Sequence, residues 1–228
     1  MICISIAAAQ TDDMIERMER AAPWADLVEL RIDRMRNPEL ERLLRSKRTP
    51  VIATNRPRRE GGGFSGTEKE RVAILIEAVR LGAEYVDVEA STDPDLKAEL
   101  RSTLAERPAK LIVSWHDFSG TPPEEILQEK LTACMMDGPD IAKIVTHASE
   151  AADCLRLLGI IPFARQRGQA IIAFCMGGRG RISRLMAPLL GSVISYASLE
   201  PEEASAPGQM TIHQIREINR ILEGPGHE

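Results

Sequence analysis

Short apolar runs rich in β-branched residues alternate along the chain with longer stretches whose apolar positions recur every three to four residues. The first pattern is typical of buried strands, and the second is typical of amphipathic helices. The predicted strands lie at 2–7, 27–32, 50–54, 85–89, 110–115, 140–145, 169–174 and 193–197. The predicted helices lie at 11–22, 37–46, 67–81, 94–106, 122–137, 148–166, 180–190 and 211–223.

Eight strands alternating with eight helices predict an α/β fold, a (β/α)8 TIM barrel. The chain has no composition break or linker, so residues 1–228 are expected to form a single catalytic barrel domain. A doubly wound open sheet is the alternative architecture, but its Gly-x-Gly-x-x-Gly fingerprint is missing after the first strand. Asp93-Pro94 and Thr121-Pro122 indicate helix starts, whereas Gly82, Gly138 and Gly168 indicate helix ends or turns.

The composition excludes several classes of protein. No apolar run approaches the ~20 residues that span a bilayer, and the first residues lack the basic region of a secretory signal. A net charge of -5 and an aromatic content of 4% argue against a nucleic acid partner. The four cysteines are scattered without a Cys-x-x-Cys pair, which argues against a zinc site or disulfide framework and predicts a cytoplasmic protein.

Two residues in or directly after predicted strands suggest chemistry on a carbonyl compound. Lys143 lies within the apolar run 140–145, and His116 ends the run that begins at Leu111. A desolvated lysine is a nucleophilic amine, and a nearby imidazole carries protons, so the pair suggests a Schiff-base reaction. Taken alone, each residue has a plainer interpretation. Lys143 would lie on an exposed strand edge, and His116 would be a hydrogen-bonded structural histidine.

Polar residues also follow the other predicted strands, at the end of a barrel where active sites form. Because an unpaired buried charge is costly, charges at the ends of five consecutive strands indicate a site. Glu29 and Arg31 share one strand face, although a private ion pair between them is the alternative. Arg184 follows a glycine-rich turn and can bind a phosphate or a carboxylate.

Other positions at these strand ends leave more than one interpretation open. Asp87 and Glu89 either hold Lys143 or a neighbouring arginine by charge, or they are structural. His147 is assigned a structural or solvent-facing role.

Six short motifs, in this order, resemble the type I 3-dehydroquinate dehydratases, the Schiff-base enzymes of the shikimate pathway. The resemblance covers nearly the whole chain. The motifs are ELRID at 29–33, EGG at 60–62 preceded by Arg56, SWHDF at 114–118, DIAKI at 140–144, ISR at 182–184 preceded by Met176, and SAPGQ at 205–209.

The resemblance implies a lyase that dehydrates 3-dehydroquinate to 3-dehydroshikimate without a metal or an organic cofactor. It implies that Lys143 forms an imine with the ring ketone, that His116 transfers protons and that Glu60 orients this histidine. It also implies that Arg184 grips the substrate carboxylate. It further implies residues that contact substrate hydroxyls or shape the pocket, namely Glu29, Arg31, Arg56, Ser205 and Gln209. Phe174 and Met176 are implied to pack the wall of the pocket.

The resemblance further implies a homodimer, although no dimer surface is evident in the sequence. Phe174 stands where many members carry a methionine, and the chain starts in its first strand without the N-terminal hairpin of longer members. Two other functions remain as alternatives. One is a Schiff-base aldolase acting on a phosphorylated sugar, and the other is a non-catalytic barrel that binds a carboxylate metabolite.

Overall fold

The computed structural model describes residues 1–223, in which eight strands alternate with eight helices. The strands are β1 (Ile2–Ile6), β2 (Leu27–Arg31), β3 (Val51–Thr54), β4 (Tyr85–Glu89), β5 (Lys110–His116), β6 (Ile141–His147), β7 (Ala170–Met176) and β8 (Ser195–Ala197). The helices are α1 (Thr11–Ala21), α2 (Leu40–Arg45), α3 (Glu68–Arg80), α4 (Pro94–Ala105), α5 (Glu124–Met136), α6 (Ala151–Gln166), α7 (Arg181–Leu190) and α8 (Ile212–Glu223). None of these helices combines the length and the apolar character that crossing a bilayer demands.

The strands form one parallel sheet that curls into a nearly closed barrel. Each strand from β1 to β6 pairs with the next in the chain, and β8 pairs with β1. The remaining seam, between β7 and the start of β8, is bridged where the Val193 N–H donates to the Ile171 carbonyl oxygen at 2.9 Å. The (β/α)8 barrel expected from the sequence is therefore confirmed, and the open doubly wound sheet is wrong.

The lower end of the barrel interior is filled by apolar side chains, one from each strand or the residue before it. The strand register places them side by side, because Cys3 pairs with Leu27 and Ile52 pairs with Tyr85. This bottom layer consists of Cys3, Leu27, Ile52, Tyr85, Ile112, Ile141, Ile172 and Ile194. All eight are buried, so the strands' own side chains close the bottom of the barrel and leave the polar residues at the other end.

Local signals for helix ends agree with the structure except at one position. Asp93 caps α4 by accepting a hydrogen bond from the Asp95 N–H at 2.9 Å, and Gly82, Gly138 and Gly168 all have positive φ. The predicted helix start at Thr121-Pro122 is wrong, since α5 begins at Glu124. The Thr121 hydroxyl donates instead to the carbonyl oxygen of His147, the last residue of β6, at 2.9 Å. This hydrogen bond holds the loop between β5 and α5 against the C-terminal end of β6.

Candidate active site

A pocket of about 230 Å³ opens at the C-terminal ends of the strands. Its position is the one that barrel enzymes use, because the loops that follow the strands converge there. The structure brings together in its lining all eleven residues that the sequence analysis assigned to a site. They are Glu29, Arg31, Arg56, Glu60, His116, Lys143, Phe174, Met176, Arg184, Ser205 and Gln209.

Lys143 lies in β6, between β5 and β7, and is only 4% exposed. Its amine lies 2.8 Å from Asp87 Oδ2, 3.6 Å from Glu29 Oε1 and 3.2 Å from the Tyr196 hydroxyl oxygen. Burial opposes ionisation of Glu29, yet the nearby Lys143 charge holds the pKa of this carboxyl below its ordinary value. The plainer interpretation of Lys143, a lysine on an exposed strand edge, is therefore wrong.

The carboxylates of β4 hold cations from two directions. Arg56 Nη2 lies 2.8 Å from Asp87 Oδ2, and Arg56 Nη1 lies 2.8 Å from Glu89 Oε1. Burial opposes ionisation of Asp87, but Arg56 and then Lys143 hold its pKa well below its ordinary value. Burial raises the pKa of Glu89 to about 7, against the attraction of its arginines. Of the interpretations left open for Asp87 and Glu89, the structure supports the one in which they hold Lys143 and an arginine.

Arg71 completes this network from α3, and the sequence analysis did not find it. It is fully buried, with Nη1 2.5 Å from Glu89 Oε2 and Nη2 donating to the Thr92 hydroxyl at 2.7 Å. The available signal was its helical spacing, because Arg71 lies four and eight positions before Leu75 and Val79 and therefore shares their buried face. A buried arginine on that face needed a carboxylate partner.

Glu29 and Arg31 do not form a private ion pair. Arg31 instead pairs with Asp33 through two hydrogen bonds, at 2.9 Å and 2.8 Å. Glu29 accepts hydrogen bonds from the Ser5 hydroxyl at 2.5 Å and the Thr54 hydroxyl at 3.0 Å. Both side chains thus have fixed orientations at the pocket wall.

His116 ends β5 and faces a carboxylate. Its Nδ1 lies 3.4 Å from Glu60 Oε2, and the other oxygen of Glu60 accepts a hydrogen bond from the Ser91 hydroxyl at 2.7 Å. Burial, and then the charge of Arg56, lowers the pKa of His116 to about 4, so the ring is neutral near pH 7. Arg56 Nη1 also lies 3.4 Å from Nδ1. In the tautomer whose Nδ1–H donates to Glu60, the Nε2 lone pair is available to accept a proton.

Arg184 projects from α7 into the pocket and is only 2% exposed. Its guanidinium carbon lies 4.2 Å from the ring centroid of Phe174. Burial lowers its pKa to about 10, which leaves it charged at neutral pH. Nε and Nη2 are buried and have no hydrogen-bond partner among the described residues. This pair of donors matches the two oxygens of a carboxylate or a phosphate.

The loop that follows β8 covers one side of the pocket. Gln209 Oε1 accepts from the Ser205 N–H at 2.7 Å and from the Ser205 hydroxyl at 3.2 Å. Gly208 lies against the turn after β7, where a Cβ would come within 2.0 Å of the Gly177 carbonyl oxygen. This close approach requires glycine at position 208. It also fixes the position of the loop, and therefore the positions from which Ser205 and Gln209 face the pocket.

His147 lies where the sequence analysis expected it, whereas Tyr196 was not expected at the site. His147 does not line the pocket, in agreement with its assignment to a structural role. Tyr196 does line it, from β8, and was not found from the sequence. The sequence signals that indicated the site were charged and acid–base residues at strand ends, and Tyr196 lies instead within the apolar run 193–197.

Known proteins resemble this chain over nearly its whole length. The family model described as "Type I 3-dehydroquinase" matches residues 2–225. A 3-dehydroquinate dehydratase of Desulfotalea psychrophila is 38% identical and covers 95% of this chain and 96% of its own. One from Syntrophobacter fumaroxidans is also 38% identical and covers 97% of this chain and 96% of its own.

A solved structure supports the same assignment. The crystal structure of 3-dehydroquinate dehydratase from Geobacillus kaustophilus superposes with a TM-score of 0.90 at 30% identity, covering 99% of this chain and 92% of that one. Sequence and structure thus agree over the same span, and the chain belongs to the type I 3-dehydroquinase family.

Proposed function

We propose that this chain dehydrates 3-dehydroquinate to 3-dehydroshikimate through an imine on Lys143. The observation that carries the proposal is the buried amine of Lys143 in the same pocket as the neutral imidazole of His116. Such an amine adds to a carbonyl carbon, and such an imidazole accepts a proton. A phosphorylated-sugar aldolase and a non-catalytic barrel are disfavoured by the family to which the chain belongs.

The reaction proceeds in five steps. The Lys143 amine, having given up its extra proton to solvent, adds to the ring ketone, and the resulting carbinolamine takes up a proton again as it loses water to give a protonated imine. Nε2 of His116 removes a proton from the carbon beside the imine, and the electron pair moves to the imine nitrogen as an enamine. The enamine expels the hydroxyl one carbon further along the ring, which leaves as water with the proton from His116. Hydrolysis of the imine then releases the product. Because the imine is the electron sink, these steps require no metal or organic cofactor.

The remaining pocket residues are proposed to bind and orient the substrate. Glu60 holds the His116 ring through Nδ1, which directs Nε2 towards the substrate. Arg184 offers its two unpartnered donors to the substrate carboxylate. Glu29, Arg31, Arg56, Ser205 and Gln209 contact substrate hydroxyls or hold the residues that do so, and Phe174 and Met176 pack the wall beside the imine.

Reduction with borohydride tests this proposal directly. Borohydride added during turnover of 3-dehydroquinate is expected to fix a secondary amine on Lys143, which peptide mass mapping locates. A parallel absorbance assay compares 3-dehydroquinate with phosphorylated sugars. Label on another lysine, or dehydration without any trapped adduct, would rule out the proposed mechanism. Binding without turnover would favour the non-catalytic barrel.

We also propose that the chain forms a homodimer through the outer faces of α6 and α7, which pack side by side. Leu155 on α6 is 72% exposed, and α7 presents Ile182, Met186 and Leu189, which are also exposed. The α7 residues lie at spacings of four and three and therefore form one stripe. Exposed apolar side chains on two neighbouring helices indicate an interface, and a second copy related by a two-fold axis buries the same surface on both partners.

The Leu189→Glu variant is expected to be monomeric at concentrations where the unchanged protein is dimeric, because it places a charge within this apolar stripe. Sedimentation equilibrium measures the mass of each. Ile221→Glu is the matched control, because Ile221 is also an exposed apolar residue but lies on α8, outside the proposed interface. It is expected to keep the mass of the unchanged protein. A monomeric unchanged protein, or a dimer that survives Leu189→Glu, would contradict this interface.

We further propose that the chain works as one catalytic domain in the cytosol. The pocket draws residues from β2, β5, β6, β7 and the loops between them, so no part of the barrel holds the site alone. All four cysteines are free, buried thiols, which suits a reducing compartment.

A further inference from the structure

Tyr196 contacts the reacting amine through both parts of its side chain. Its hydroxyl oxygen accepts a hydrogen bond from Lys143 Nζ at 3.2 Å. The centroid of its ring lies 4.4 Å from the same nitrogen. Tyr196 is buried and comes from β8, on the opposite side of the strand order from the β4 carboxylates. None of the steps proposed above uses it.

The other partners of the Lys143 amine are carboxylates. Asp87 Oδ2 lies at 2.8 Å and Glu29 Oε1 at 3.6 Å. A carboxylate can only accept hydrogen bonds from this nitrogen and cannot donate one to it. A neutral hydroxyl differs from them, because it accepts a hydrogen bond from the ammonium and can equally accept one from, or donate one to, the neutral amine.

The hydroxyl of Tyr196 remains protonated while it does this. Burial, and then the neighbouring charge of Glu29, raises the pKa of Tyr196 well above its ordinary value. The ring is held in turn by Phe174, whose centroid lies 5.6 Å away. The hydroxyl is therefore a fixed, neutral hydrogen-bonding group at the nitrogen atom. Holding a nucleophile in its attacking geometry accelerates a bond-forming step.

We propose that Tyr196 is a positioning residue that orients the Lys143 amine for attack on the ketone and takes no part in the later proton transfer. This inference rests on the imine mechanism proposed above. Among the described residues Tyr196 shares no hydrogen bond with His116, the proposed proton carrier. Its influence is thus confined to imine formation, the step in which the nitrogen lone pair makes a bond.

Tyr196→Phe keeps the ring and its packing and removes only the hydroxyl. In single-turnover experiments, rapid quenching with borohydride measures how fast the adduct on Lys143 accumulates, and absorbance measures how fast the imine converts to product. We expect the first rate constant to fall about tenfold, as for the loss of one hydrogen bond to a charged or reacting group. The second rate constant is expected to remain unchanged.

Tyr85→Phe is the matched control, because Tyr85 is the other tyrosine of the chain and lies in the bottom layer of the same barrel. It is expected to leave both rate constants unchanged. Equal imine formation in Tyr196→Phe and the unchanged protein would overturn the inference alone. A parallel fall in both rate constants would also overturn it, because that is the effect of a merely structural residue. Absence of any Lys143 adduct in the unchanged protein would instead refute the imine mechanism itself.

Discussion

Replacing Lys143 by methionine is expected to abolish measurable dehydration of 3-dehydroquinate and the borohydride-trapped adduct together. The loss should exceed the roughly 10²–10⁴-fold that general acid–base groups contribute, because no imine forms and the carbanion has no electron sink. Methionine fills most of the lysine volume, but it leaves Asp87 and Glu29 without the amine between them. Circular dichroism and thermal melting establish how much of the fold persists.

Lys97→Met separates the loss of a buried lysine from the loss of a nucleophile. Lys97 is also nearly buried, and its amine pairs with Asp137 Oδ2 at 2.7 Å, but it lies on α4 outside the pocket. This control is expected to lower the melting temperature and to keep full turnover per folded molecule. Residual dehydration by Lys143→Met at a rate near that of Lys97→Met would exclude Lys143 as the nucleophile.

His116→Ala is expected to reduce kcat by roughly 10²–10⁴-fold, the usual contribution of a positioned acid–base group. The variant should still form the imine, so borohydride traps substrate on Lys143 while product appears slowly. The pH profile of the unchanged enzyme gives a second measurement. Because burial lowers the pKa of His116 to about 4, the ring becomes protonated and unable to act as a base only near that pH. We therefore expect the acidic fall in kcat/KM near pH 4 rather than near pH 6.5.

His147→Ala is the control for this variant, since His147 lies at the end of β6 but outside the pocket lining. It is expected to keep the kcat of the unchanged enzyme. The kcat of Glu60→Gln should lie between those of His116→Ala and His147→Ala, because the change weakens the orientation of His116 without removing the imidazole. A His116→Ala enzyme that turns over as fast as His147→Ala would disprove the acid–base assignment.

The fold was predictable because its local patterns are strong and consistent. Each of the eight predicted strands overlaps an observed one, and β4 was predicted with its bounds unchanged. Parallel strands buried on both faces give continuous apolar runs, and these runs are easily separated from amphipathic helices. The helix start predicted at Thr121 failed for a tertiary reason, because the hydroxyl bonds to β6 rather than to its own helix.

The pocket was predictable where polar residues interrupt apolar strands. Lys143, His116 and Glu29 each break a run that otherwise reads as core, and all three line the pocket. Arg71 and Tyr196 were missed because their function depends on contacts between distant elements. Arg71 reaches Glu89 from a helix, and the Tyr196 hydroxyl reaches an amine 53 residues away in sequence. Neither contact is marked by a short motif in the sequence.

The buried guanidinium of Arg184 also bears on the resistance of the protein to heat. A charged group with two unpartnered donors in the interior lowers the free energy of unfolding, since water solvates it in the unfolded chain. Substitution of Arg184 by methionine should therefore raise the melting temperature of the empty barrel while weakening its hold on carboxylates. Carboxylate binding and thermal stability therefore place opposite demands on the residue at this position.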